Sequence, residues 1–594
     1  MNYRYTRLRV RRRVRKRKKQ VAGISESFNK QLDRHIFRRW HNFRHAGRFV
    51  IGWLSLVVIL IVAVIIQTKG LGRYYLSVTP VSGGVYTEGV VGSFSNANPL
   101  YASEDVNSEV SKLIFSSLLT YDDKNQLVGD LASSWQLDAK GTTYTVKLKQ
   151  NIKWHDGQPL TADDVVFTYD TIKNPDSKSY LLQNWTGVKV EKVDNSTVKF
   201  ILPNAYSPFP HSLTNGIIPK HLLKDIPVLQ LRSTSFNTKS PVGSGPFIWH
   251  SVSVDSDDNA DQLETIQLSK YNEYYRGQAK LDGITINTYK DEDSLKNALQ
   301  NNSIVAAVGL SSSDQDITNK QEDTSFNLMS ANMLFLKTTS PLLKDVRVRQ
   351  ALVKGTNVPS LVSMIDYATI PVREPLLKSQ IGYNPQYIQY GYNKDEAIKL
   401  LETAGWKLNP KDGFRYKDSK KLNFKLTYQN NHEFSHIAGG IQKQWKELGV
   451  DLNVIISNDK NDSSKYLDSH DYDVLLYGIN IGPDPDVYAY WHSSQIDKKT
   501  QIHLNLSEYK STIADIALET ARTRTDPKLR AAKYKPFLEA WRKDAPAIGL
   551  YQPRYLVISN QHIYGLNPAL INVPSDKFNN VNNWMINTAR TNTK

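Results

Sequence analysis

Hydrophobic and polar residues alternate strictly in the stretch TYTVKLK at 143–149. Every second side chain is apolar there, and this period of two predicts a half-buried β-strand. The turn residues DAKG at 138–141 come just before it, so we expect WQL at 135–137 to be its partner in a β-hairpin. The pattern therefore predicts an antiparallel pair of strands in this part of the chain.

The pattern becomes helical after a second turn, HDG at 155–157. Thr161 stands at the N-cap position, and Asp164 three residues later resembles the second half of a capping box, with Asp in place of Glu. Apolar residues then recur through Ile172 at the spacing of one helix face, and Asn174 precedes a proline that ends the predicted helix. We interpret the histidine and aspartate of the turn as residues that hold it together, and not as catalytic groups.

An uninterrupted apolar run covers residues 49–66. Its 18 residues carry no charge, and as a helix they would span about 27 Å, close to the hydrocarbon core of a bilayer. A cleaved signal peptide needs a shorter leading segment and a small-x-small site, whereas QTK follows the run here. We therefore predict an uncleaved signal anchor in the cell membrane, with 1–48 in the cytoplasm and the large domain, after about residue 70, outside.

The formal net charge of +17 is concentrated at the start of the chain. Residues 1–48 contain 13 Arg and 4 Lys against one Glu and one Asp, a net charge of +15, so the remaining residues carry only about +2. The basic run RVRRRVRKRKK at 9–19 is compatible with nucleic-acid binding. Next to a membrane span, however, such a run orients the span and contacts anionic lipid heads, so we predict no nucleic-acid partner.

The absence of cysteine excludes disulfides, thiol catalysis, cysteine zinc sites and a lipoprotein anchor. Residues 80–594 are too many for one hydrophobic core, so two lobes are expected. Short alternating strands and amphipathic helices are mixed along them, which favours an α/β fold. One such helix is predicted in YNKDEAIKLLETAGW at 392–406, ending at Gly405.

Several segments resemble the family 5 extracellular solute-binding proteins, the oligopeptide- and dipeptide-binding components of ABC importers. The hairpin, the HDG turn and the capped helix, within 131–166, resemble the family's signature. Tyr275 stands where the family has Trp, and KGTN at 354–357 stands where it usually has A-I-D-R. Other segments that resemble family elements are GGVY at 83–86, IIPKHLL at 217–223, PVGSGPF at 241–247, YNEYYRGQAKLDG at 271–283 and DVRVRQAL at 345–352.

The resemblance implies a two-lobed periplasmic-binding-protein-like fold of the large, peptide-binding type, preceded by the transmembrane helix. It implies that lobe one covers 80–332, completed by 549–594, and that lobe two covers 333–548. It further implies a binding protein and not an enzyme, without a cofactor, that captures a peptide between the lobes and delivers it to an ABC permease. A saccharide or a metal chelate is the alternative ligand, because this fold binds several kinds of solute.

A literal HExxH motif at 432–436 indicates a different class of function, a zinc peptidase. On a helix its two histidines would share a face and bind zinc, with Glu433 as general base. The third-ligand position holds Gln442, a poor zinc ligand, and the only later methionine is Met585, so no Met-turn follows. We therefore predict no metal site in this segment.

The resemblance instead implies that this segment is a helix of lobe two, with His432 at its start. Gly439 and Gly440 lie inside that helix. Each glycine costs roughly 1 kcal/mol relative to alanine in a helix interior, which predicts that both are closely packed. The predicted buried face of the helix consists of Ile437, Ile441, Trp445 and Leu448.

Residues 471–491 form the predicted ligand-binding segment. A buried strand at 474–477 is followed by the loop GPDP at 482–485, and loops at strand ends that face a cleft often carry binding groups. In peptide-binding relatives this strand ends with an aromatic residue and then an aspartate that pairs with the peptide's α-ammonium. Here Tyr477 takes the aromatic place and Asn480, which cannot neutralise an ammonium, takes the aspartate's.

Asp484 and Asp486 follow in the loop, and three interpretations of them stay open. One of them replaces the missing charge, or the ligand carries no free amine at this place, or both are ordinary turn residues. The predicted ligand-binding residues are Tyr477, Asn480, Asp484 and Asp486.

Overall fold

The computed structural model of the protein describes residues 47–254, 262–310, 322–365, 367–458, 466–496 and 503–592. Residues 1–46 of the predicted basic tail lie outside this part of the chain, so the cytoplasmic placement of the tail stays a prediction. The described residues fall into two compact units, 47–79 with 588–592 and 80–587.

Helices and strands are mixed along the described residues. The strands are β1 Leu76–Val81, β2 Val85–Val91, β3 Leu119–Tyr121, β4 Leu127–Gly129, β5 Ala132–Leu137, β6 Thr143–Leu148, β7 Lys189–Asp194, β8 Thr197–Ile201, β9 Phe247–Val254, β10 Gln262–Lys270, β11 Gly283–Tyr289, β12 Ala306–Val308, β13 Glu322–Leu328, β14 Ser330–Leu336, β15 Ile370–Pro371, β16 Lys407–Leu408, β17 Arg415–Lys417, β18 Lys420–Lys421, β19 Asn423–Gln429, β20 Asp451–Ser457, β21 Val474–Asn480, β22 Ala547–Gln552, β23 Arg554–Ser559, β24 Leu570–Ile571 and β25 Asn587–Asn592. The helices are α1 Gly47–Tyr75, α2 Asp105–Ile114, α3 Ala162–Lys173, α4 Lys220–Leu223, α5 Glu292–Gln300, α6 Val346–Lys354, α7 Val358–Val362, α8 Lys394–Thr403, α9 His432–Lys446, α10 Tyr488–Trp491, α11 Thr512–Ala521 and α12 Pro527–Asp544.

The smaller unit contains the helix α1 and a two-stranded sheet. Phe49–Gln67 within α1 is long and apolar enough to cross a membrane, and its side chains are exposed. This stretch coincides with the apolar run predicted at 49–66. The sheet pairs β1 with β25, which come from opposite ends of the chain, and the Thr79 hydroxyl donates to the Ala589 carbonyl at 3.5 Å.

Lobe one is built on an eight-stranded sheet with the order β24-β13-β23-β12-β2-β11-β10-β9. Strand β2 is parallel to its neighbours β11 and β12, whereas β10 is antiparallel to β9 and β11. A four-stranded antiparallel sheet, β5-β6-β8-β7, shares its apolar core, in which Trp154, Tyr169 and Phe200 are fully buried. Together with the helices, these sheets confirm the predicted α/β class.

Lobe two is built on a six-stranded sheet with the order β15-β22-β14-β21-β19-β20. Strand β19 is parallel to β21, so their last residues, Gln429 and Asn480, point toward the same edge. Strand β14 begins at that edge, because its Ser330 pairs with Asn480. The chain enters β14 from lobe one through Met329 and leaves β22 for lobe one through Pro553. This edge of lobe two therefore carries both connections to lobe one.

The predicted lobe boundaries, at 332/333 and 548/549, fall inside β14 and β22. Both strands belong to the six-stranded sheet, where they pair with each other. Strand β22 is therefore the last strand of lobe two, and β23 is the first strand after the return to lobe one. The change of sheet occurs at Met329 and at Pro553 because the pairing of β14 with β22 carries each strand beyond the predicted boundary.

The signature segment adopts the predicted hairpin and capped helix. Strands β5 and β6 pair antiparallel, with Trp135 opposite Val146. Helix α3 begins after the N-cap residue Thr161, and both halves of the capping box with Asp164 are formed. The helix ends before Asn174, which is its C-cap residue. All of these features depend on neighbouring residues, which is why the sequence pattern predicts them.

The HDG turn is held by contacts with two other segments that resemble the family. The Gly243 N–H donates to Nδ1 of His155 at 3.3 Å, and Nε2 of the same ring lies 3.0 Å from the Gly245 carbonyl oxygen. Burial lowers the pKa of His155 to about 4, so the ring is neutral near pH 7. Asp156 lies 2.6 Å from Nε2 of His221. The turn residues therefore join three segments of lobe one.

Candidate ligand-binding site

The predicted ligand segment reaches the edge of lobe two that carries the connections to lobe one at the end of β21. Tyr477 is half-buried, which raises the pKa of its hydroxyl, and Asn480 is exposed. The Asn480 side-chain amide donates to the Asn572 carbonyl of lobe one at 3.2 Å. The Tyr490 hydroxyl donates to the main-chain carbonyl of Asn480 at 2.5 Å. The end of β21 thus contacts lobe one directly.

Asp484 forms a nearly buried ion pair with Arg530 of helix α12. Nη1 and Nη2 of the guanidinium lie 2.6 and 2.5 Å from the two carboxylate oxygens, and the two side chains are 12% and 6% exposed. Burial lowers the pKa of Arg530, but the hydrogen bonds and charge of Asp484 outweigh burial and raise it above its usual value. His211 of lobe one lies 3.8 Å from the same carboxylate. The charge of Asp484 is therefore neutralised within the protein.

Asp486 is paired with a second arginine. Nη2 of Arg522 lies 2.8 Å from the Asp486 carboxylate, and the Tyr206 hydroxyl of lobe one donates to the same oxygen at 3.2 Å. The Arg522 guanidinium carbon lies 4.9 Å from the ring centre of Tyr206 and 4.1 Å from that of Tyr488. The guanidinium is therefore held by a carboxylate and by two aromatic faces, one of which belongs to the other lobe.

Main-chain hydrogen bonds join the same parts of the two lobes. The N–H and the hydroxyl of Ser207 donate to the Arg522 carbonyl at 2.8 and 3.1 Å. Arg522 is the C-cap residue of α11, and carbonyls at the end of a helix need donors from outside it. Lobe one therefore supplies donors to a helix end of lobe two. We call the group Tyr206, Ser207, Asp486 and Arg522 the interlobe contact.

Lobe one contains a cavity of about 350 Å³, and two of its lining residues contact the predicted site residues directly or through His211. Its lining includes Asn572, whose carbonyl accepts the Asn480 amide, and Tyr121, whose hydroxyl lies 2.9 Å from Nδ1 of His211. Two charged lining residues, Lys112 and Asp576, are 3.7 Å apart. The volume lies within the range of small-molecule sites. A cavity of ligand size is thus one contact away from Asn480, but none of the four predicted binding residues lines it.

The HExxH motif occupies the first turn and a half of helix α9, as predicted. The rings of His432 and His436 are 4.3 Å apart, and Nδ1 of His436 lies 2.9 Å from the His432 carbonyl oxygen. The Glu433 carboxylate accepts a hydrogen bond from the Tyr551 hydroxyl at 2.5 Å. Across the described residues, no group of three His, Asp or Glu side chains could hold a metal ion.

Residues 126–500 match the sequence profile of the bacterial extracellular solute-binding proteins, family 5 (middle region). This match covers more than half of the chain. The chain belongs to the family 5 solute-binding proteins. The resemblance predicted from the signature is confirmed, and members of this family are binding proteins of transport systems.

This solute-binding protein is 30% identical over 504 residues to the oligopeptide-binding protein AppA of Bacillus subtilis, across 82% of this chain and 89% of AppA. The structure of that AppA in complex with a nonapeptide matches with a TM-score of 0.69 and 28% identity, covering 86% of this chain and all of AppA's. NikZ from Campylobacter jejuni in complex with Ni(L-His) matches with a TM-score of 0.70 and 26% identity, covering 84% and 99%. One similar structure thus contains a peptide and the other a metal chelate.

The sequence of this solute-binding protein predicts a site in the loop after β21 but does not predict the residues that surround this loop. The missed partners of the predicted site residues are Tyr206, His211, Arg522, Arg530 and Asn572. One general signal could have predicted arginine partners for the two aspartates, because acidic residues buried in a loop need cations nearby. Nothing in the local pattern distinguishes these two arginines from the others of the chain.

Proposed function

We propose that this chain is the membrane-anchored, extracytoplasmic binding component of an ABC importer and captures peptides in a cleft between its lobes. The observation that carries the proposal is a ligand-sized cavity whose lining residue Asn572 accepts a hydrogen bond from Asn480 at the end of β21, in a chain 30% identical to an oligopeptide-binding protein. The nonapeptide complex of that relative supports a peptide as the ligand. An ABC permease is the proposed partner.

Closure of the lobes over the ligand is the proposed mechanism. We propose that lobe one consists of residues 80–332 with 549–594 and that lobe two consists of residues 333–548. Near these boundaries, the chain passes from one sheet to the other at Met329 and at Pro553. Two short connections at one edge of the lobe-two sheet support a hinge at this place. We propose that the interlobe contact forms when the ligand is enclosed, and that the closed form docks on the permease.

Tyr477 and Asn480 are the proposed direct contacts to the ligand. Asp484 and Asp486 are each bonded to an arginine, so a ligand ammonium would compete there with an existing ion pair. We therefore propose that the two aspartates shape the loop around the ligand through their arginines. In this arrangement Asn480 offers a ligand ammonium a neutral side-chain oxygen and no charge.

The long apolar helix α1 supports membrane anchoring. We propose that residues 1–48 are cytoplasmic, because the basic residues there satisfy the positive-inside rule. Protease added to intact cells is then expected to digest the large domain and to leave the tail. A digested tail with a protected domain would reverse the orientation, and a mature N-terminus beyond residue 66 would replace the anchor with a cleaved signal.

Mass spectrometry of the ligand that copurifies with the protein tests the proposed peptide specificity. We expect peptides, and the parent protein stripped of ligand should bind a synthetic copy of them in calorimetry. Stoichiometric saccharide in place of peptide would refute the peptide assignment and leave the transport role intact. Absence of binding to every copurified solute would refute the binding function itself.

A metal chelate is the second candidate ligand, with the same transport role. The observation that favours it is the similarity to NikZ with Ni(L-His), together with the neutral Asn480 at the predicted recognition position. Elemental analysis of the copurified ligand separates this candidate from a peptide. A chelate predicts one transition-metal ion per protein that dialysis against a chelator removes, whereas a peptide predicts none.

A further inference from the structure

Lobe two contains a second cavity that shares no residue with the site described above. Its volume is about 550 Å³, and it lies between helix α7 and the segment 388–392, beside the edge strand β15. Its described lining residues come from 356–373 and 388–392, all within lobe two. The cavity therefore does not depend on how the two lobes meet. Its volume is typical of sites for small organic molecules.

The walls of this lobe-two cavity are fixed by hydrogen bonds. The Gln389 side chain donates to the Gly549 carbonyl at 3.0 Å and accepts from the Gly549 N–H at 2.8 Å. The Gln389 N–H donates to the Arg373 carbonyl at 2.7 Å. On the other side, the Asn357 N–H donates to the Gln444 side chain at 2.8 Å. These hydrogen bonds hold the segment 388–392 against β22, so the cavity exists without a ligand.

The interior of the cavity is largely apolar. Asn357 and Gln389 are polar, but the Asn357 side-chain oxygen accepts from the Ser360 N–H at the start of α7 and the Gln389 amide is used by Gly549. The hydroxyls of Thr356 and Ser363, which also line the cavity, donate to the Leu352 and Ser360 carbonyls. Water inside would therefore find few of the two to four polar partners that hold an ordered water molecule. An apolar group that displaces this water is therefore favoured. The aliphatic and proline lining consists of Val358, Pro359, Val362, Ile365, Pro371 and Ile388.

A cation stands at the mouth of the cavity. Arg373 is exposed and lines it, and in the described part of the chain no carboxylate forms an ion pair with Arg373. No carboxylate occurs among the described lining residues either. Tyr390 at the rim is held in place between Lys354, 4.8 Å from its ring centre, and Arg542 at 5.0 Å. The entrance therefore offers a guanidinium that pairs with no carboxylate of the described residues, in a cavity that Tyr390 also lines.

We propose that this cavity is a second small-molecule site, and that its ligand is an amphipathic organic anion: an aromatic or aliphatic carboxylate. The apolar part enters between α7 and the segment 388–392, and the carboxylate pairs with Arg373 at the mouth. A carboxylate fits the planar fork of a guanidinium with two hydrogen bonds, which a neutral ligand cannot match. This site is independent of the proposed transport ligand, since the two share no residue.

Two fluorinated probes test the site on the full chain in lipid nanodiscs, with empty nanodiscs as the blank. The probes are 4-(4-fluorophenyl)butyrate and its neutral analogue 4-(4-fluorophenyl)butan-1-ol, followed by fluorine NMR. Val362→Trp fills the cavity and is expected to weaken binding of both probes at least tenfold. Ile513→Trp adds the same ring at an exposed position of α11 and is expected to change neither affinity.

Arg373→Gln tests the proposed contact with the carboxylate separately from the burial of the apolar part. It is expected to weaken the butyrate about tenfold and to leave the butanol unchanged. If Val362→Trp binds both probes as the parent does, the cavity is not the site and the proposal fails. If Arg373→Gln leaves the butyrate unchanged, the carboxylate assignment fails. Binding of the copurified transport solute by Val362→Trp reports that this variant is folded, so a lost probe signal is not mistaken for unfolding.

Discussion

Both terminal nitrogens of Arg530 bond the two carboxylate oxygens of Asp484, at 2.6 and 2.5 Å. The sequence alone makes Asp484 one of two candidates to meet a ligand ammonium. Its partner changes what a substitution there would report. Loss of binding in Asp484→Asn would follow from a disordered loop as readily as from a lost ligand contact, so stability has to be measured as well.

Asp484→Asn is expected to lower the free energy of unfolding by about 3–5 kcal/mol, because it leaves Arg530 nearly buried without a counter-charge. The measurement is urea unfolding of the ligand-free protein. The double variant Asp484→Asn/Arg530→Gln removes both charges and is expected to lose less than the sum of the single variants. An unchanged midpoint for Asp484→Asn would mean that the ion pair contributes nothing to stability.

Asn480→Asp tests the recognition proposed at the end of β21. A carboxylate there supplies the missing counter-charge, so affinity for a peptide with a free amine is expected to hold or rise. The same peptide acetylated at its amine should bind the variant more weakly than the parent, because the new carboxylate loses the donor contact to Asn572 and gains no cation. Calorimetry with both peptides measures the difference. Equal loss for both would show that no ligand ammonium approaches position 480.

Tyr206→Phe removes the hydroxyl of the interlobe contact that donates to Asp486. A hydrogen bond to a charged group contributes about 1.5–3 kcal/mol, so ligand dissociation is expected to be about tenfold faster or more. Stopped-flow measurement of dissociation checks this. The matched control is Tyr416→Phe, which removes a tyrosine–aspartate bond to Asp412 within lobe two. Equal dissociation rates for the parent and both variants would show that the contact does not hold the closed form.

Alanine at His432 or at His436 is expected to leave the zinc content of the purified protein unchanged. The physical reason is that Nδ1 of His436 faces the His432 carbonyl and that Glu433 accepts a bond from Tyr551. Elemental analysis by mass spectrometry measures the metal. One zinc per protein in the parent, absent from either variant, would revive the peptidase hypothesis.

Glu374 is expected to make stability depend on pH. It is fully buried and accepts a hydrogen bond from the Asn384 N–H, and burial raises the pKa of Glu374 to about 8. The folded protein thus keeps a proton on Glu374 that the unfolded chain releases from about pH 4.5 upward. The free energy of unfolding that this bound proton contributes is therefore lost as pH rises through about 8. Glu374→Gln is expected to flatten the decline between pH 5 and pH 8.

Urea unfolding at pH 5, 6.5 and 8 measures that decline. The control is Glu447→Gln, at an exposed carboxylate whose pKa is lowered by its bond to Lys394. A lowered carboxylate pKa contributes stability that disappears only at acid pH, so this control should leave the slope between pH 5 and pH 8 unchanged. A parent slope retained in Glu374→Gln would show that Glu374 ionises normally.

The sequence predicted those features that depend on neighbouring residues. The capping box of Thr161 and Asp164 needs two residues three positions apart, and the pairing of β5 with β6 needs one short turn. Strand β21 was predicted only to Tyr477, and it extends to Asn480 because Ser330 of β14 pairs there. The extension comes from a partner strand that lies far away in the sequence.

The paired glycines of α9 show the same limit. A Cβ on Gly440 would lie 2.5 Å from Leu361 of lobe two, so the prediction of close packing is confirmed there. Gly439 has no atom within 4 Å of such a Cβ, so the prediction is wrong for that residue. The helical period assigns both residues to one helix but does not show which elements pack against each side. The arginine partners of Asp484 and Asp486 were missed for the same reason.

The Ser207 N–H of lobe one donates to a carbonyl of lobe two, so hydrogen exchange at this single amide measures the proposed opening of the lobes. Its exchange with deuterium requires that the bond to Arg522 breaks, so under fast reclosing its protection factor equals the closed-to-open ratio. The Leu202 N–H, which bonds Thr142 inside lobe one at 2.8 Å, exchanges independently of lobe motion. The ratio of the two exchange rates, followed during ligand titration, gives the free-energy difference between the open and closed populations that the proposed closure requires.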